Sequence, residues 1–199
     1  MNPLAPCALI AVLGASACQA TATTSSATPD ARTLAVARLD VYAQVARRIY
    51  DSERSGVEVH ASIKRIARDA AAMGGSRAEL LRQLYLPHYH VVRLRWARGG
   101  RVVDVGGRFV VAGATRGPLT ISIQDVIGYV KLLRRQTGLA VVARGRPGQV
   151  VASPASLAKV RLPPSGTVTV GARTYLVKRF TEPGFAGDTL RVWLLGPPG

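Results

Sequence analysis

The chain has 199 residues, 27 of them Lys or Arg and 11 Asp or Glu, for a formal charge of +16. That length suits one domain with a real core, and a hydrophobic content of 48% excludes a mostly disordered chain. The two cysteines, Cys7 and Cys18, exclude a disulfide scaffold and a Cys-based zinc cluster in the body of the chain. The basic residues are 23 Arg and 4 Lys in a chain rich in Ala, Gly and Val. Part of the charge therefore reads as compositional, not as the mark of an anionic partner.

Residues 4–17 form an uncharged apolar run of signal-peptide length, too short to span a bilayer comfortably. It ends in Ala15-Ser16-Ala17-Cys18, with small residues where a signal peptidase needs them. Residues 13–18 resemble the lipobox of bacterial lipoproteins, which implies lipidation of Cys18. The other reading is plain cleavage after Ala17 or Ala20 and a secreted protein. Residues 1–17 are thus expected to be a signal peptide and 18–30, rich in Ala, Thr and Ser, a flexible tether. The expected location is outside the cytoplasm. No second apolar run reaches the roughly 18–20 residues of a membrane span.

Residues 31–53 carry a helical stripe of Ala35, Leu39, Tyr42, Ala46 and Ile49, with Asp30 as a plausible N-cap. The stripe packs either on the domain's own sheet or also forms the seam of a homodimer. A second helix shows Val59, Ile63, Ile66, Ala70 and Met73, and Gly74-Gly75 ends it. Ser76 caps a short third helix through Leu80, Leu81 and Leu84, closed by Pro87.

Residues 88–96 alternate as a strand, with His88, His90, Val92, Leu94 and Trp96 on one face and Tyr89, Val91, Arg93 and Arg95 on the other. A Gly99-Gly100 turn leads to a strand at 102–105, and Gly106-Gly107 turns into another at 108–112. After a strand at 119–123 the period changes. Gln124 or Asp125 caps a helix in which Val126, Val130 and Leu133 share a face, and Gly138 ends it. Extended stretches follow at 139–143, 174–180 and 189–195, with short pieces at 149–152 and 167–170. The fold class is α+β with a mainly antiparallel sheet and long N-terminal helices packed on it.

Residues 91–95 running into 99–107, and the strand-to-helix segment 119–132 (LTISIQDVIGYVKL), resemble a Cache domain, the PAS-like sensor module found outside bacterial cells. The resemblance covers residues 33–195 and implies a single Cache-like sensor domain within 31–199. It also implies a ligand pocket between one sheet face and the helices and loops covering it. Ser122, Gln124 and Tyr129 would lie near that pocket, with Arg93, Arg95 or Arg108 as anion clamps. A guanidinium suits bidentate carboxylate capture, and Arg93 and Arg95 sit about 6–7 Å apart on one strand face.

No nucleophile elbow or P-loop is present. His88 and His90 lack an advertised third ligand, so neither a metal nor another cofactor is expected. Asp104, Asp125 and Asp188 fit capping better than acid–base catalysis, and the chain is not expected to be an enzyme. The expected function is ligand binding by an extracytoplasmic sensor-like domain, with a small polar or anionic ligand and a membrane partner protein as the expected partners. The alternative is an envelope protein whose basic surface docks on an anionic polymer, lipid surface or membrane partner. A nucleic-acid partner is not expected: the chain has no Lys-rich tail and no aromatic stacking motif.

Overall fold

The computed structural model describes residues 30–71, 73, 75–88 and 90–199. The expected signal peptide, Cys18 and nearly all of the tether lie outside the described residues. Helix α1 (Ala31–Ser55) starts where the Asp30 carboxylate accepts the Thr33 N–H at 2.6 Å, satisfying one donor of the first turn. It stops at Gly56, whose N–H donates to the Ser52 carbonyl; a Cβ at Gly56 would lie 2.3 Å from that oxygen, so glycine is required there. Helix α2 (Val57–Ala70) follows directly. Ser76 caps α3 (Arg77–Glu79), accepting the Glu79 N–H, and the chain widens into a π turn at Leu80–Tyr85.

The strands are antiparallel throughout, as the sequence leads one to expect, but they form two sheets and not one. Sheet one has the order β2-β1-β4-β3, built from β1 (Arg93–Arg98), β2 (Arg101–Gly106), β3 (Ala114–Arg116) and β4 (Leu119–Ser122). Helix α4 (Val126–Thr137) then carries the chain to sheet two, of order β6-β5-β9-β8-β7. Its strands are β5 (Ala140–Arg144), β6 (Val150–Ser153), β7 (Ser165–Val170), β8 (Arg173–Pro183) and β9 (Thr189–Gly196). The expected strand at 108–112 is the place where the sheets divide. Val110 bridges to Asp125 and Val111 to Gly184, so this stretch pairs residue by residue with two different partners and joins neither sheet as a strand. The strand expected from residue 88 begins only at Arg93, because a Val91 N–H to His88 carbonyl bond closes a turn before it.

Each sheet has its own core. Helix α2 lays Val59, Ile63, Ile66 and Ala70 on Leu94, Trp96, Val105, Leu119 and Ile121 of sheet one. Helices α1 and α4 cover one face of sheet two, meeting Val141, Leu176, Phe180, Val192 and Leu194. The other face of sheet two buries Val142, Val177, Trp193 and Leu195 under Leu157 and Leu162. The buried line of α1 is Leu39, Ala43, Ala46 and Tyr50, with the expected Ala35, Tyr42 and Ile49 packed at its border. The line turns toward Tyr50 because that ring is fully buried and its hydroxyl has partners inside. It accepts the Ala112 N–H at 2.9 Å and donates to the Pro183 carbonyl.

Candidate functional site

Arg93 and Asp104 form a bidentate pair across β1 and β2, with Nε at 2.9 Å from Oδ1 and Nη2 at 2.8 Å from Oδ2. The same guanidinium donates to the Arg108 carbonyl at 3.3 Å and lies 4.7 Å over the Phe185 ring. Hydrogen bonding to Asp104 raises the pKa of Arg93 further. Arg95 shares this sheet face, in register with Asp104 and Thr120, and is half-buried. The expected pair of anion clamps is therefore divided: Arg93 has an acid partner within the fold, and Arg95 faces the sheet's outer surface.

Ser122 is buried, donating to the Val111 carbonyl at 2.7 Å and so fixing the joining stretch against sheet one. The helix cap is Asp125, whose Oδ1 accepts the Gly128 N–H at 2.6 Å; Gln124 donates its amide to the Asp125 carbonyl. The start of α4 already holds a carboxylate of its own. Tyr129 points into the core. Its hydroxyl donates to the Ala46 carbonyl of α1 at 3.0 Å and its ring meets Tyr50 edge-on at 5.5 Å. Burial pushes its pKa well above the usual phenol value. The phenol thus ties α4 to α1 in place of covering a ligand.

Of the expected residues, Arg108 is the one that reaches an open cleft. A groove of about 700 Å³ runs between residues 107–109, the start of α4 at Asp125 and Ile127, and the β5–β6 turn. Arg108 and Arg146 supply its positive charge, and exposed Ile127 and Val150 its apolar wall. Gln149 locks the two sides together: its amide nitrogen donates to the Arg108 carbonyl at 2.8 Å, and its amide oxygen accepts the Arg146 N–H at 3.1 Å. Arg146 also donates its Nε to Asp188 at 2.8 Å, which leaves Arg108 as the groove guanidinium without an acid partner among the described residues. Beneath the groove, the space among Arg93, Gly184 and Phe185 is about 10 Å³, room for roughly one water. Ligand-sized volume is thus outside the Arg93 site, in the Arg108 groove. The sequence reading missed Arg146 and Gln149; the signal available was the Arg146-Pro147-Gly148 turn between two strands.

His88 and His90 face each other edge-on, ring centres 5.8 Å apart, and His90 Nε2 lies 2.8 Å from the Ser62 hydroxyl. Partial burial, then Arg65, lowers the pKa of His88. No group of three or more His, Cys, Asp or Glu able to hold a metal ion occurs among the described residues. No helix of the described residues is long and apolar enough to cross a membrane. No family model, curated protein or solved structure matches this chain.

Proposed function

We propose that the chain is an exported ligand-binding module of the Cache-like, PAS-like kind, which takes a small polar or anionic ligand in the groove beside α4. The observation that carries this reading is the groove itself. It has ligand-sized volume, a wall that is part apolar, and the Arg108 guanidinium at its mouth with its backbone pinned by Gln149 and Arg93. A guanidinium on a fixed backbone suits a carboxylate, because little freedom is lost when the bond forms. The chain carries out no chemistry of its own in this reading. In the same reading the N-terminal run directs export and Cys18 carries the anchor, so mass spectrometry of protein from its native membrane shows a diacylglycerol adduct there.

A thermal-shift screen against small carboxylates and other metabolites, followed by calorimetry, tests the site. Arg108→Ala is expected to weaken the selected ligand about tenfold or more, the loss typical of a charge-assisted hydrogen bond. Equal affinity in both proteins overturns the groove. An envelope-docking role of the basic surface predicts a different pattern: salt-suppressed binding to anionic polymer that Arg108→Ala leaves unchanged.

A further inference from the structure

The face of sheet one that α2 covers runs out in arginines. On β1 the buried positions Leu94 and Trp96 are followed, two residues on, by Arg98. On β2 the same face reads Val105, Val103, Arg101, since Arg101 pairs with Arg98. On β3, Arg116 sits in register with buried Leu119, itself opposite Trp96. Side chains alternate along a strand and paired residues share a face. Three strands therefore place a guanidinium at the end of the covered face, where α2 stops at Ala70.

The two hairpins that bring them there contain no acid in residues 97–103 or 114–120. The β1–β2 turn is made by Gly99 and Gly100, both at positive φ. Among the described residues, Arg98, Arg101 and Arg116 make no ion pair, side-chain hydrogen bond or ring contact. Asp69, in the last turn of α2, forms no ion pair with any of the three. Between the hairpin ends and α2 lies a notch of about 370 Å³, floored by Ala67, Ala70, Ala71 and Leu119 and rimmed by Arg98 and Arg116. Arginine stems lying along apolar surface explain how the face is closed. They do not explain why the heads gather on an apolar hollow with no counter-charge.

We infer that this notch binds an anionic amphiphile: a molecule with one carboxylate or phosphate head, held by Arg98 and Arg116, and an apolar body lying against the alanines of α2. The site is separate from the Arg108 groove and independent of it. The size lies within the usual range of small-molecule sites. The small floor residues let an alkyl chain approach the α2 backbone, and two guanidiniums on neighbouring hairpins match one doubly contacted anion. Such a head group comes either free in solution or as part of a bilayer.

Calorimetry with decyl phosphate below its micelle-forming concentration tests the free form, and co-sedimentation with phosphatidylglycerol-containing vesicles tests the bilayer form. Arg98→Gln with Arg116→Gln is expected to weaken binding about tenfold or more, and Ala71→Phe, which fills the notch and leaves the charge intact, to weaken it likewise. The control, Arg135→Gln with Arg173→Gln, removes the same charge from exposed positions elsewhere and is expected to stay within about twofold. Binding of the monomer assigns a free amphiphile; binding only of vesicles, with the same dependence on the variants, assigns a lipid head group. An equal loss in the control, unchanged affinity in Ala71→Phe, or no binding in either arm overturns the inference.

Discussion

Tyr50 shows how much one side chain can hold. Its hydroxyl accepts from Ala112, in the stretch that joins the sheets, and donates to Pro183 at the end of β8. Burial pushes its pKa up to about 12, from an ordinary 10. In the folded chain the phenol keeps its proton through two pH units over which the unfolded chain loses it. Its stabilising contribution is therefore complete below pH 10 and disappears as pH rises from about 10 to about 12, worth on the order of 3 kcal/mol. Denaturant titrations across that range are expected to show stability falling, with Tyr129 adding to the loss because its own shift has the same sign. Tyr50→Phe is expected to cost about 1–3 kcal/mol at neutral pH, since the Ala112 N–H loses its partner. It is also expected to flatten the alkaline decline. An equally steep decline in that variant would assign it to other groups.

At the scale of elements, α1 decides between two roles for one stripe. Leu39 is buried against sheet two, whereas Leu34 and Val41 on the outer side are 55% and 57% exposed. Leu39→Ala is expected to destabilise the folded chain by about 2–4 kcal/mol, and Val41→Ala to stay within about 0.5 kcal/mol. Chemical denaturation of both variants measures the contrast. If Val41→Ala instead shifts the association state seen by analytical ultracentrifugation, the outer side of the helix is a seam between copies. The helix itself was legible in the sequence because Asp30 and the apolar spacing agree with each other, and it runs two residues past the expected 53. Its rotation was not: a spacing rule weights Tyr42 and Tyr50 alike. Only the hydrogen-bond partners offered by Ala112 and Pro183, remote in sequence, draw Tyr50 inside. Tyr129 was misjudged in the same way, since Ala46, whose carbonyl accepts its hydrogen bond, lies 83 residues away. Asp104 was read as a capping residue because its bond to Arg93 depends on β1–β2 register, which alternation alone does not supply.

The division into two sheets belongs to the whole molecule, and it is what local pattern is least able to express. Residues 108–112 have the composition of a strand, yet Val110 and Val111 bridge to opposite sides, so the stretch becomes a joint. Besides this joint, Tyr50 from α1 and Arg93 over Phe185 connect the halves. The two tryptophans provide a direct measurement of how strongly. Trp96 lies in the core of sheet one and Trp193 in that of sheet two, where its Nε1 donates to the Pro163 carbonyl at 2.9 Å. Trp96→Phe and Trp193→Phe leave one reporter each. Because the Tyr50 hydroxyl, which ties the joint to sheet two, is buried and Arg93 is half-buried, the two reporters are expected to give coincident midpoints in urea, the mark of a single cooperative unit. Adding Tyr50→Ala removes the ring and both hydroxyl bonds from the joint. The midpoints are then expected to separate, with Trp193 moving further because α1 packs chiefly on sheet two. Separate midpoints before Tyr50 is changed would mean that each sheet is stable alone and that the joint carries little of the fold's free energy.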